Sequence, residues 1–150
     1  MAVAGSPVRL AVVLAAGLGT RFGIATVPKP LVAVAGVPIL HRTLAALVEV
    51  GVRRVVIVVG HRAAEIVAAV GEVFDGIAIT YVHSDRYQET NNAYSLWLAR
   101  EHLGDDLFLV EGDVAFDPKV LSRLMSRPES AVLAVAPPSL SGCGETLGLP

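Results

Sequence analysis

Val8-Arg9-Leu10-Ala11-Val12-Val13-Leu14-Ala15-Ala16-Gly17-Leu18-Gly19-Thr20-Arg21 carries an apolar run straight into a glycine-rich turn. Residues 8–15 are rich in valine and leucine and show no polar alternation, the pattern of a strand buried on both faces of a parallel sheet. Gly17 and Gly19 break the run. Glycines just beyond a buried strand let backbone N–H groups turn toward a ligand with no Cβ in the way, and such donors cradle phosphate oxygens. Thr20 adds a hydroxyl, Arg21 a fixed cationic fork and Lys29 a mobile point charge. The spacing excludes two familiar phosphate loops. The glycines do not follow G-x-G-x-x-G, and no G-K-[ST] closes the turn.

Outward from this segment, strand and helix alternate. Pro38 opens residues 39–50, where Leu40, Leu44, Leu47 and Val48 recur at helical spacing, and Gly51 closes them. Residues 55–59 form a β-branched run ending at Gly60. Residues 63–74 follow as a helix with Ile66, Val67, Val70 and Phe74 on one face. A strand over 77–82, a short helix over 92–100, a strand over 107–110 and a helix beginning at Asp117-Pro118 continue the series. Residues 131–136 are the last strand candidate. Five strands separated by four helical segments predict an α/β domain, a Rossmann-like, mainly parallel sheet flanked by helices, with ligands bound beyond the carboxyl ends of its strands. The domain is expected over residues 1–136. Residues 137–150, rich in Pro, Gly and Ser without periodicity, read as an irregular tail.

Bulk properties agree with a globular domain that captures anions locally. The 150 residues are 53% hydrophobic and 17% charged, ample for one core. A net charge of -2 provides no global field for nucleic acid or an acidic membrane. Arg53, Arg54 and Arg62 read as solvated loop charges. Cys143 is the single cysteine, so no internal disulfide or Cys-based zinc site forms within one chain, and a reducing cytoplasm is expected. The apolar run at the start is short, with Pro7 and Arg9 immediately before it, and reads as a strand rather than a leader. No stretch reaches the roughly 20 apolar residues of a membrane span.

Glu111-Gly112-Asp113 ends the strand over 107–110, where positions i and i+2 share a side and the intervening glycine permits close backbone approach. A carboxylate there suits Mg²⁺, which takes one or two carboxylates and completes its shell with substrate phosphate oxygens. Asp117, before Pro118, reads as a helix cap. Asn92 reads equally as a cap or as a donor and acceptor facing a pyrimidine edge. The four histidines lack metal-ligand spacing, and neither Ser95 nor Cys143 has an evident base partner.

Leu14-Ala-Ala-Gly-Leu-Gly-Thr-Arg21, Lys29-Pro30-Leu31 and Gly36-Val37-Pro38 together resemble the opening signature of the nucleotidyltransferases that activate sugar phosphates and phospho-alcohols. Asn91-Asn92-Ala93-Tyr94-Ser95-Leu96 is similar to the cytidylyltransferase branch that makes CDP-alcohols. The resemblance implies nucleotide-binding roles for Leu14, Ala15, Ala16, Gly17, Gly19, Thr20 and Asn92, catalytic roles for Arg21 and Lys29, and Mg²⁺ at Asp113. It implies transfer of a nucleotidyl group, CMP from CTP by preference, to a phosphorylated small-molecule acceptor. The sugar 1-phosphate enzymes using UTP or dTTP and a silent nucleotide-binding domain are the alternatives. Family members continue with further strands that complete the acceptor pocket, so this chain is expected to hold a C-terminally truncated, nucleotide-binding portion. A homodimer formed over an exposed sheet edge is a further expectation.

Overall fold

The computed structural model describes residues 7–18, 26–89, 91–104 and 106–135. Their elements, in chain order, are β1 (Leu10–Ala15), a 3-10 turn (Lys29–Leu31), β2 (Ala33–Val34), β3 (Val37–Pro38), α1 (Ile39–Glu49), β4 (Arg54–Val59) and α2 (Ala63–Val70). There follow β5 (Val73–Phe74), β6 (Ile77–His83), α3 (Asn92–Leu98) running into a 3-10 turn (Ala99–His102), β7 (Leu107–Glu111) and α4 (Lys119–Met125).

Five strands form one sheet in the order β5-β6-β4-β1-β7. Every pairing is parallel except the edge hairpin of β5 with β6. The central strand β1 explains its own composition. All six residues are buried, and they alternate between two cores. Ala11, Val13 and Ala15 pack on one face with Leu40, Leu44 and Leu47 of α1, Ile66 of α2 and Leu121 of α4. Leu10, Val12 and Leu14 pack on the other with Val56, Val58, Ala99 and Leu96 of α3. A strand covered on both faces needs apolar side chains at every position.

α1 ends as its sequence predicts. Gly51 has φ +86°, its N–H bonds the Val48 carbonyl and the Val52 N–H bonds that of Leu47, so the last carbonyls are satisfied by a left-handed cap. Asp117 also acts at a helix start, accepting from the Lys119 N–H at 2.9 Å.

Two expected elements differ. The helix over 63–74 stops at Val70, because Gly71 turns at φ +77°. Val73–Phe74 then folds back on Ile77–Ala78 through Asp75-Gly76, whose φ values of 43° and 84° are those of a type I′ hairpin. The Tyr81 hydroxyl donates to the Gly71 carbonyl at 2.6 Å and holds the junction. The fifth strand of the sheet is therefore this hairpin arm. The run predicted as a strand over 131–136 carries no strand in its described part, residues 131–135, and Leu133 and Val135 are 73% and 77% exposed. The physical reason is pairing. β7 bonds β1 along one edge, and among the described residues its other edge stays unpaired, so the apolar run does not take up the ladder open to it.

The parallel strands run β6-β4-β1-β7. Chain order thus reverses between β1 and β7, whose carboxyl ends open a crevice at the switch point.

Candidate nucleotide and metal site

Three chain segments meet at that crevice. β1 delivers Leu14, Ala15 and Ala16, all buried, and then the exposed Gly17. β7 delivers Glu111, Gly112 and Asp113. Two glycines let the strand ends approach closely. A Cβ on Gly112 would lie 2.9 Å from the Leu14 carbonyl oxygen and 3.0 Å from Ala15 Cβ, and the Gly112 N–H donates to that same carbonyl at 2.8 Å. A Cβ on Gly60, at the end of β4, would lie 2.8 Å from both the Ala16 carbonyl oxygen and Tyr87 Cβ. Gly17 differs: among the described residues a Cβ there would meet nothing within 4 Å. Packing explains Gly60 and Gly112 but not Gly17.

Lys29 enters from a third direction. Pro30 is buried and Leu31 packs on the core, so the 3-10 turn Lys29–Leu31 is anchored and carries the lysine side chain outward. Its Nζ lies 3.3 Å from Asp113 Oδ2, joining residues 84 apart in sequence. An ion pair this exposed contributes about 0–1 kcal/mol, so stability does not account for the arrangement.

Of the two roles that the sequence left open for Asn92, the cap falls to its neighbour Asn91. Asn91 is the cap of α3, its Oδ1 accepting from the N–H groups of Ala93 and Tyr94. Asn92 is thereby released, and its Nδ2 donates to Glu111 Oε1 at 2.8 Å. Sequence reasoning gave Glu111 no committed role. The signal was the strand period: Glu111 shares the side of Leu107 and Leu109, the α3 side of the sheet. Gly60 and Tyr87 were likewise missed, because their contact joins the ends of β4 and the segment after β6. Gly19, Thr20 and Arg21, three of the expected site residues, lie outside the described residues.

Burial raises the Glu111 carboxyl above the usual carboxylate range; the Asp113 charge raises it further, and the Asn92 hydrogen bond lowers it in part. A carboxyl raised in the folded state binds its proton more tightly there than in the unfolded chain. Its contribution to stability is therefore full below the ordinary value near 4.5 and is lost as pH rises through the folded value. In metal-free buffer Glu111→Gln should raise the melting temperature at pH 7 more than at pH 4. Equal shifts at both values would show that the carboxyl is not strained.

Among the described residues no three His, Cys, Asp or Glu side chains cluster as a metal cage. Asp113 nevertheless fits a hard divalent cation. It holds a cationic partner now, follows directly on the end of β7, and Mg²⁺ takes as few as one carboxylate when phosphate oxygens and water fill the remaining positions.

A parallel α/β sheet whose switch point brings a lysine to an acidic strand end is the frame of a nucleotide-binding class of domain. The chain belongs to the MobA-like NTP transferase domain family, whose model matches residues 11–150. It is 50% identical over 134 residues to the CMP-5'-(3-aminopropyl)phosphonate synthase of Streptomyces rubellomurinus, an alignment covering 88% of this chain and 21% of that protein. It is 37% identical over 109 residues to the UTP--glucose-1-phosphate uridylyltransferase AglF of Haloferax volcanii, covering 71% of this chain and 44% of that protein. Among solved structures, the inositol-1-phosphate CTP transferase from T. maritima superposes with a TM-score of 0.65 at 29% identity, over 83% of this chain and 51% of that one. The chain thus spans about half or less of the length of these relatives. No helix among the described residues is long and apolar enough to cross a membrane.

Proposed function

We propose that this protein transfers CMP from CTP to a phosphorylated or phosphonate small-molecule acceptor, releasing pyrophosphate. The observation that carries this reading is the Lys29–Asp113 pair, brought together at the switch point of the sheet from positions 84 residues apart. A phosphate or phosphonate oxygen of the acceptor attacks the α-phosphorus of CTP, and the bond from that phosphorus to the oxygen bridging to the β-phosphate breaks. The acceptor is already an anion, so no side chain has to remove a proton.

The roles follow the sequence signature, and the positions of Lys29, Asn92 and Asp113 support them. The backbone from Leu14 to Gly17 lies along the nucleotide, Gly19, Thr20 and Arg21 take their roles from the signature alone, and Asn92 reads the base. Lys29 and Arg21 neutralise the departing pyrophosphate. Asp113 would hold Mg²⁺, which when bound offsets charge building on the phosphate oxygens. Asp113 also orients Lys29 before substrate arrives. The preference for CTP is supported by the Streptomyces relative, named for a CMP-linked phosphonate product, and by the T. maritima CTP transferase. The Haloferax uridylyltransferase supports a second reading, transfer of UMP to a sugar 1-phosphate.

Pyrophosphate release with Mg²⁺, CTP or UTP, and a panel of phospho-alcohols, aminoalkylphosphonates and sugar phosphates tests the proposal. Acceptor-dependent release with CTP that disappears in Asp113→Ala is the expected result. Release only with UTP and a sugar 1-phosphate would establish the second reading. CTP binding with no release for any acceptor would make the chain a nucleotide-binding portion without activity of its own.

A further inference from the structure

Glu111 and Asp113 stand two residues apart at the end of one strand, yet they serve different partners. Asp113 meets Lys29, and Glu111 meets Asn92 from a position 19 residues away. A side-chain amide has one end that only donates and one that only accepts, and an ionised carboxylate only accepts. Glu111 therefore fixes which way the Asn92 amide faces: Nδ2 is drawn to the carboxylate, and Oδ1 is left pointing away from it. Because Asn91 does the capping, nothing in the helix start competes for the Asn92 side chain.

The orientation has a chemical consequence. Cytosine carries a 4-amino group that donates, whereas uracil carries at that place a keto oxygen that accepts. An amide presenting Oδ1 pairs with the first and repels the second. We propose that Glu111 is a positioning residue for base selection, holding the Asn92 amide so that the site favours a 4-aminopyrimidine nucleotide over a 4-keto one. The inference rests on the reading above in which Asn92 faces the base. It goes beyond that reading by assigning the selectivity to a residue that does not itself touch the nucleotide.

The experiment is the dissociation constant of CTP and of UTP, each with Mg²⁺, for the wild-type chain, Glu111→Ala, Glu111→Gln and Asn92→Ala, with melting temperatures alongside. A carbonyl poised for one base and facing a lone pair in the other should make wild type favour CTP by about tenfold or more. Glu111→Ala, with a freely turning amide, should bring the two constants to within about threefold of each other, chiefly by improving UTP relative to CTP. Glu111→Gln, whose amide can accept from Nδ2 or donate to Oδ1 and so no longer fixes the way Asn92 faces, should also lose most of the preference without a fall in melting temperature; an unchanged preference in this variant would show that a hydrogen-bonded contact alone suffices and would overturn the proposal. Equal weakening of both nucleotides by Glu111→Ala, with the ratio kept, overturns the proposal and places Glu111 at the ribose or the metal. An unchanged ratio in Asn92→Ala overturns the base-reading role of Asn92 and the proposal with it. Failure of the wild type to bind either nucleotide overturns the functional reading instead.

Discussion

Lys29→Ala should lower the rate of pyrophosphate release on the order of a hundredfold, with the melting temperature unchanged. The magnitude comes from comparing two effects of the same side chain. As half of an exposed ion pair with Asp113 it adds about 0–1 kcal/mol to folding. As a preorganised charge facing a leaving pyrophosphate it is worth about 3 kcal/mol in the transition state, the typical loss when one such electrostatic donor is removed. The 3-10 turn that carries it is held by buried Pro30, so the substitution leaves the turn in place. Steady-state kinetics with saturating CTP and acceptor make the check. A loss of less than about threefold, well under 1 kcal/mol, would remove Lys29 from the transition state.

Gly112→Ala and Gly17→Ala should have opposite signatures, although both add one methyl group near the same crevice. The added carbon at position 112 would sit 2.9 Å from the Leu14 carbonyl oxygen and 3.0 Å from Ala15 Cβ, backbone and near-backbone atoms that cannot swing aside. The end of β7 must shift away from β1, at a cost of about 1–3 kcal/mol. That corresponds to a fall in melting temperature of roughly 3–10 °C for a domain of this size. At position 17 the new carbon meets no described residue, so stability should stay within about 0.5 kcal/mol. Nucleotide binding should weaken all the same, by tenfold or more if a phosphate lies against that backbone as one hydrogen bond's worth of contact is lost. Thermal melting with and without CTP separates the two. A Gly17→Ala protein that binds CTP as wild type does would mean that the turn does not touch the nucleotide.

The legibility of this chain followed the range of the interactions involved. Residues 10–15 announce a doubly covered strand because burial on two faces acts on each residue separately, and the structure alternates them between two cores. α1 and its glycine cap were equally plain, since a left-handed Gly51 and the i, i+4, i+7 spacing of Leu40, Leu44 and Leu47 are local facts. The turn at Asp75-Gly76 was also local, and its dipeptide was the sign of the hairpin that replaced the end of the expected helix. The run over 131–136 misled for the contrary reason. Its apolar composition suits a strand, but a strand exists only where the run pairs with a neighbour, and composition does not specify that pairing.

By itself the sequence determined the α/β class and the doubly buried first strand, and it singled out Lys29, Asn92 and Asp113 as candidates for handling a nucleotide. These are properties of side chains and of short-range periodicity. Only the tertiary structure decided that Lys29 meets Asp113, that Asn91 takes the capping role and leaves Asn92 to Glu111, and that Gly112 is a packing glycine. Those pairings depend on a strand order in which β7 lies beside β1. Contacts between residues 19 and 84 positions apart are fixed by how the sheet is wound, and no local pattern records the winding.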